Sequence, residues 1–336
     1  MRYGGKIAAA WLLGGIVATA GMTGLAQASS PASQPAIKQA ADYIEWGRLK
    51  EARDLLAGAV SQPANANDAA LLAFYGHVVT MFGDFNQGMN LTKKAVALDA
   101  NCATCHLYLF EAMAERAKTL SQVRALLVLP KLRKQLQKAD ELGPRLGDVQ
   151  WGWIDLDLGL PAAVGGSAQD AFAHADKLSQ IDPVDGHLAR ASIYASAKKP
   201  DQELAEYQAA ATEHPNDPRG VFAYGQALAE RGEYAKAEPL LARASQMSPG
   251  SVMYSGYEAA ALVHLGRLEQ ARTVIEDGQR VHPASRLGEY LTAQALKDTG
   301  KDFAWARQLL DAYLTVPPEP QQPTAAEARQ LLASLG

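Results

Sequence analysis

The sequence predicts an all-α fold, an α-solenoid of about eight helical hairpins with a C-terminal capping helix. Three observations carry that expectation. Pro249, Pro283 and Pro317 fall 34 residues apart, and Gly232, Gly266 and Gly300 keep the same step, a period that belongs to stacked helix-turn-helix units. The 336 residues are 48% hydrophobic but only 7% aromatic, which suits helices packed through small side chains. No stretch alternates β-branched and polar residues as a half-buried strand does. In such an array each unit contacts only its neighbours, so the length implies no second domain. It offers an extended surface to a partner instead of a closed catalytic pocket.

The chain opens with Arg2 and Lys6, an apolar run from Ile7 to Ala20, and then Ala26-Gln27-Ala28, the small-residue site a signal peptidase needs. Residues 1–28 therefore read as a signal peptide, with the mature chain starting at Ser29 and located in the periplasm or secreted. A retained anchor is the other reading of the apolar run, which is near the lower limit for crossing a bilayer; after cleavage no membrane span remains. No cysteine lies near the cleavage point, which argues against a bacterial lipoprotein. Losing Arg2 and Lys6 takes Lys+Arg from 32 to 30 against 36 Asp+Glu, a formal net charge of -6. Nothing in that balance attracts nucleic acid or anionic lipid. Residues 29–35 lack periodicity and read as a flexible leader, and the array is expected to run continuously over 36–336.

Numbered from the start of its first helix, the clearest unit runs from Pro218 to Gly250. It has Tyr224 and Gly225 at positions 7 and 8, Gly232 at 15, Ala237 at 20, Leu241 at 24, Ala244 at 27 and Pro249 at 32. Small Gly225 and Ala237 let two helices approach closely, Gly232 supplies the turn, and Pro249 ends the second helix. These residues resemble the tetratricopeptide repeat pattern, and the resemblance implies a right-handed solenoid. The next unit repeats it with Ala259, Gly266, Ala271, Ile275 and Pro283. The one after has Ala293, Gly300, Leu310 and Pro317, slipping by one residue near Ala306.

Upstream copies are weaker. Tyr43, Gly47, Ala52, Leu56 and Ala59 mark the first, and Gly76, Gly83, Ala95 and Leu98 the second. The third, over 103–146, is about ten residues too long for the repeat, with Leu126 to Pro130 in the extra segment. Gly166, Ala171 and Pro183 mark the fourth; Tyr194, Tyr207, Ala210 and Pro215 mark the fifth, where Lys198-Lys199-Pro200 replaces the turn glycine. After Pro320, Thr324 and Glu327 form a capping-box pattern that opens a last helix to Leu335. The string Leu160 to Ser167, with Ile181-Asp182-Pro183 and Gly186-His187, resembles a group of exported bacterial tetratricopeptide repeat proteins. That resemblance covers Ala95 to Pro215 and implies a periplasmic helical scaffold without known catalysis.

One motif carries chemistry. Cys102-Ala-Thr-Cys105-His106 holds the only two cysteines of the chain, and Cys-x-x-Cys-His is the pattern of covalent c-type haem attachment. Met89, Met113 and His77 are candidates for a second axial ligand. In repeat register, however, His106 falls where His187 falls two units later, a packing position. A local disulfide and packed thiols are the other two readings, and a thiol oxidoreductase lacks its strand-helix context. No cofactor is expected apart from that haem alternative. His214 and His282 each precede a repeat-closing proline and suit helix C-termini. Trp151, Trp153, Asp155 and Asp157 lie at i and i+2 spacings, which point to different helix faces. No phosphate loop, nucleophile elbow or zinc-protease motif occurs, so no enzyme is expected and no metal or catalytic residue is assigned.

In the family, first helices line a groove. Here that rule places Arg219, Phe222, Gln226 and Glu230, then Met253, Ala260 and His264, then Tyr290, Gln294, Lys297 and Asp298 on the partner-facing side. Aromatic, Met and amide side chains suit an extended peptide. The paired Lys and Asn with which chaperone-binding members clamp a carboxylate are absent. The expected function is a non-enzymatic periplasmic scaffold holding a peptide or an envelope protein. Its alternatives are a haem-bearing electron-transfer protein and a transporter accessory protein binding a small ligand.

Overall fold

The computed structural model describes residues 32–320 and 322–336. The expected signal peptide at 1–28 and leader residues 29–31 lie outside the described residues. Seventeen α-helices and two short 3-10 turns occur among the described residues, with no strand. They follow one another in pairs. The first five pairs are α1 (Gln34–Glu45) and α2 (Leu49–Val60), α3 (Ala69–Met81) and α4 (Phe85–Leu98), α5 (Ala103–Lys118) and α6 (Gln122–Leu142), α7 (Gly147–Gly159) and α8 (Ala168–Ile181), and α9 (Pro183–Ser196) and α10 (Pro200–Glu213). Three more follow: α11 (Pro218–Glu230) and α12 (Tyr234–Met247), α13 (Val252–His264) and α14 (Leu268–Val281), and α15 (Leu287–Thr299) and α16 (Phe303–Leu314). A single helix, α17 (Ala325–Ala333), ends the chain. The fold is an α-solenoid.

The turns are set by backbone sign. Gly47, Gly83, Gly232, Gly266 and Gly300 all take positive φ, between 67° and 82°, a region closed to most side chains. Where the fifth pair lacks its glycine, Lys198 adopts φ 55° and turns the chain the same way. The following Pro200 sits in the first turn of α10, where its missing N–H costs nothing.

The described residues divide into two compact units, one of 32–45 and 49–189, the other of 46–48 and 190–336; the boundary falls within α9. In the N-terminal unit the second helices bury small and branched residues on one stripe, Ala52, Leu56 and Ala59 on α2 and Leu132, Leu136 and Ala139 on α6. Against them lie Leu71, Phe74, Tyr108, Phe110 and Val149 from the first helices. The leader is shorter than expected: α1 begins at Gln34, and Ser33 is buried, donating from Oγ to Asp68 Oδ2 at 2.5 Å. Asp68 in turn caps α3 by accepting from the Leu71 N–H.

The extra residues of the third hairpin form helix. α5 and α6 run to 16 and 21 residues. Pro130 lies inside α6, and the buried residues of that helix begin only at Leu129.

In the C-terminal unit the same stripe recurs as Ala237, Leu241 and Ala244 on α12, Ala271 and Ile275 on α14, and Ala306, Leu309, Leu310 and Tyr313 on α16. The last helix docks through Ala328 and Leu331, with Leu335 buried just beyond it. Its capping box forms as the sequence predicts. The Thr324 hydroxyl accepts from the Glu327 N–H at 3.2 Å, and the Thr324 N–H donates to Glu327 Oε2 at 2.7 Å.

Candidate functional site

The residues expected to face a partner lie on α11, α13 and α15 of the C-terminal unit, at different depths. Phe222 is 5% exposed, stacked on Tyr254 at 4.4 Å and met edge-on by Tyr257 at 5.4 Å. Tyr290 is 7% exposed and packs 5.3 Å from Tyr313. These two rings belong to the core. Gln226 is also buried, its amide donating to Glu230 Oε1 at 3.1 Å and to the Tyr257 hydroxyl at 3.4 Å. Arg219 closes onto the α11 cap, with Nη2 donating to Asp217 Oδ2 at 2.7 Å.

The outer layer of that face is therefore Glu230, which is exposed, with Met253, Ala260, His264, Gln294 and Lys297, which are half-buried, and exposed Asp298. His264 stacks flat on Tyr234 from α12, 3.8 Å between ring centres, and burial lowers its pKa. Although solvent reaches Glu230, the protein packed around its carboxyl raises it by desolvation, with Gln226 opposing and Glu203 of α10 reinforcing the shift. Groove positions alone do not single out Tyr257. Its signal in the sequence is its place as the i+3 neighbour of Tyr254 on α13.

The N-terminal unit holds the cysteines. Cys102 and Cys105 are joined in a disulfide and buried at the start of α5, where Cys102 is the N-cap. His106 has both ring nitrogens engaged, Nδ1 with Gln135 Oε1 at 2.7 Å and Nε2 with the Ala100 carbonyl at 3.1 Å. Of the candidate second ligands, His77 binds Glu111 Oε2 through Nδ1 at 2.6 Å and Met113 packs on the core, while Met89 is half-buried on α4.

The tryptophan-aspartate run on α7 separates as the spacing implies. Trp153 stacks on His174 of α8 at 5.6 Å. Asp155 is solvent-accessible but hemmed in by protein. Burial raises its carboxyl to about 7, Lys118 opposing and Glu111 and Glu115 adding to the shift. Asp157 is raised to about 6 by burial and Asp170, against Arg133. Deeper on α7, Asp148 is buried, and its carboxyl is raised by burial first and then by Glu111 and Asp185. His214 and His282 are the C-caps of α10 and α14, the helix ends where the sequence put them.

Residues 228–296 match the family model described as Tetratricopeptide repeat. The yeast Tom70 crystal structure superposes with a TM-score of 0.58 at 15% identity, over 91% of this chain and 61% of that one. The chain thus spans 61% of the length of Tom70. A thermophilic tetratricopeptide repeat protein of Thermus thermophilus gives 0.48 at 22% identity, over 61% of this chain and 98% of that chain. One from Parabacteroides merdae gives 0.42 at 13%, over 91% and 99%. No curated protein sequence matches the chain. Likeness at these identities is likeness of fold: the chain shares a solenoid of helical hairpins with the Tom70 structure, and residues 228–296 carry the tetratricopeptide repeat pattern.

Proposed function

We propose that the protein is a non-enzymatic periplasmic scaffold that holds a peptide segment or an envelope protein on the α11, α13 and α15 face. The observation that carries this reading is the mixed outer layer of that face. The three helices carry half-buried Met253, His264, Gln294 and Lys297 and exposed Glu230, with Met253 packed on a cluster that holds Phe222, Tyr254 and Tyr257. Such a layer supplies apolar contact and side-chain hydrogen bonds without reorganising. An export address agrees with the 1–28 segment and with the Cys102–Cys105 bridge, since disulfides persist in oxidising compartments.

The test uses the outer layer, because truncating Phe222 would cost about 3 to 5 kcal/mol of stability and confuse loss of binding with loss of fold. Crosslinking and pull-down from envelope fractions should recover a specific partner with the native chain and lose it with Glu230→Arg and Lys297→Glu. Both variants should keep the native thermal midpoint. Equal recovery by all three chains would remove this face from consideration. Mass spectrometry of the fractionated protein checks the address, a periplasmic chain beginning at Ser29 being the expected result.

A further inference from the structure

The N-terminal end of α6 is an apolar helix tip whose side chains stand in solvent. Val123 is 71% exposed, Leu127 73% and Leu126 40%. At 3.6 residues per turn Val123, Leu127, Pro130 and Lys134 fall on one face, with Arg124 and Lys131 along one flank and Leu126 on the other. The first six residues of the helix, 122–127, contribute no side chain to the core, so this end extends past the part of the hairpin that packs.

The charge along residues 116–139 opposes that of the whole chain. Between Arg116 and Ala139 there are seven Lys or Arg and no Asp or Glu, in a chain of net charge -4. Some of these cations are occupied: Lys118 by Glu115, Arg116 by Asn86, Arg133 by the Val164 and Gly165 carbonyls, and Lys138 by Glu141. Arg124, Lys131 and Lys134 are exposed and make no salt bridge among the described residues. A projecting helix end with exposed aliphatic side chains and cations on the same and adjacent faces has the composition of a segment that lies in a bilayer interface. The geometry points to this tip as a docking site for an anionic lipid surface. A second copy of the chain meeting this one face to face would set Arg124, Lys131 and Lys134 against the same cations, and side chains that stand out in solvent offer no groove to a peptide. Anionic lipid supplies both the negative charge and a deformable apolar layer. The net charge conceals this, because the tip's cations are outnumbered elsewhere.

Partitioning of the full chain onto vesicles tests the proposal. The chain should bind vesicles of phosphatidylglycerol in phosphatidylcholine and not those of phosphatidylcholine alone. Val123→Glu/Leu127→Glu and Lys131→Glu/Lys134→Glu should each weaken binding about tenfold or more, and raised salt should weaken the native chain likewise. Residues 1–31 are common to every variant, so the differences report the tip. In Leu127→Trp the indole emission should move to shorter wavelength on anionic vesicles. The proposal is overturned if both double variants bind as the native chain does, or if that emission stays unmoved. It is equally overturned if Val123→Glu/Leu127→Glu dissociates a dimer, or releases an acidic protein partner, while vesicle binding is unchanged.

Discussion

Gly166 shows what a single hydrogen in place of a methyl group decides. A Cβ there would stand 1.8 Å from the Leu160 carbonyl oxygen and 2.9 Å from that of Asp157. The Asp157 oxygen is tied to the Ser167 N–H at 3.1 Å, so the backbone cannot step aside without losing the start of α8. Gly166→Ala should therefore destabilise the chain by about 2 to 4 kcal/mol, read as a lower urea midpoint with an unchanged slope. Gly159→Ala, where an added Cβ meets nothing within 4 Å, is the control and should be near neutral. Equal midpoints for the two would mean that the loop relaxes around the methyl group. The adjacent Gly165 and Gly166 of the Leu160 to Ser167 string are a turn signal in the sequence. Their reason, a carbonyl folded back under the loop, is not legible there, because it depends on where Leu160 ends up in space. His106 is the converse case: its repeat position pointed to packing, and the structure finds Gln135 and the Ala100 carbonyl on its two nitrogens.

Helix boundaries followed from turn glycines and closing prolines because those residues act locally. The start of α1 did not, since Ser33 is held by Asp68, a partner 35 residues on. The depth of the α11 face was hidden for a related reason. Periodicity tells which side chains share a face, but Tyr254 and Tyr257 of the next hairpin decide that Phe222 lies beneath it. The start of the last helix was legible, its capping box being a four-residue signal, while its end falls at Ala333, two residues before the expected Leu335. Thr324→Ala should lower stability by about 1 kcal/mol, measured by urea unfolding. Amide exchange should rise selectively in α17, whose docking residues Ala328, Leu331 and Leu335 seal one end of the C-terminal core. Faster exchange spread evenly over α11 to α17 would show that the helix is not a local cap but part of a single cooperative block.

At the scale of the whole molecule, six carboxyls share one direction of shift. Asp148, Asp155 and Asp157 in one unit and Glu203, Glu230 and Glu258 in the other are raised, burial being the first cause in each. Glu327, hydrogen-bonded by the Thr324 backbone and hydroxyl, is lowered. A raised carboxyl holds its proton to higher pH in the folded chain than in the unfolded one. Folding therefore binds protons between the two pKa values, and stability falls as pH rises through that window. With Asp155 reaching about 7 and Asp157 about 6, the window runs from about pH 4 to about pH 7. Glu327 has the opposite sign and loses its small contribution only below that range. The urea midpoint should thus be higher near pH 5 than near pH 8. Asp148→Asn, which removes the most deeply buried of these charges, should flatten much of the slope and stabilise the chain at the alkaline end. Asp155→Asn should do so less, because solvent reaches that carboxylate and screens it. A midpoint that climbs with pH across the window, or an Asp148→Asn chain with the native slope, would mean that these carboxyls ionise in the folded protein as freely as in the unfolded one.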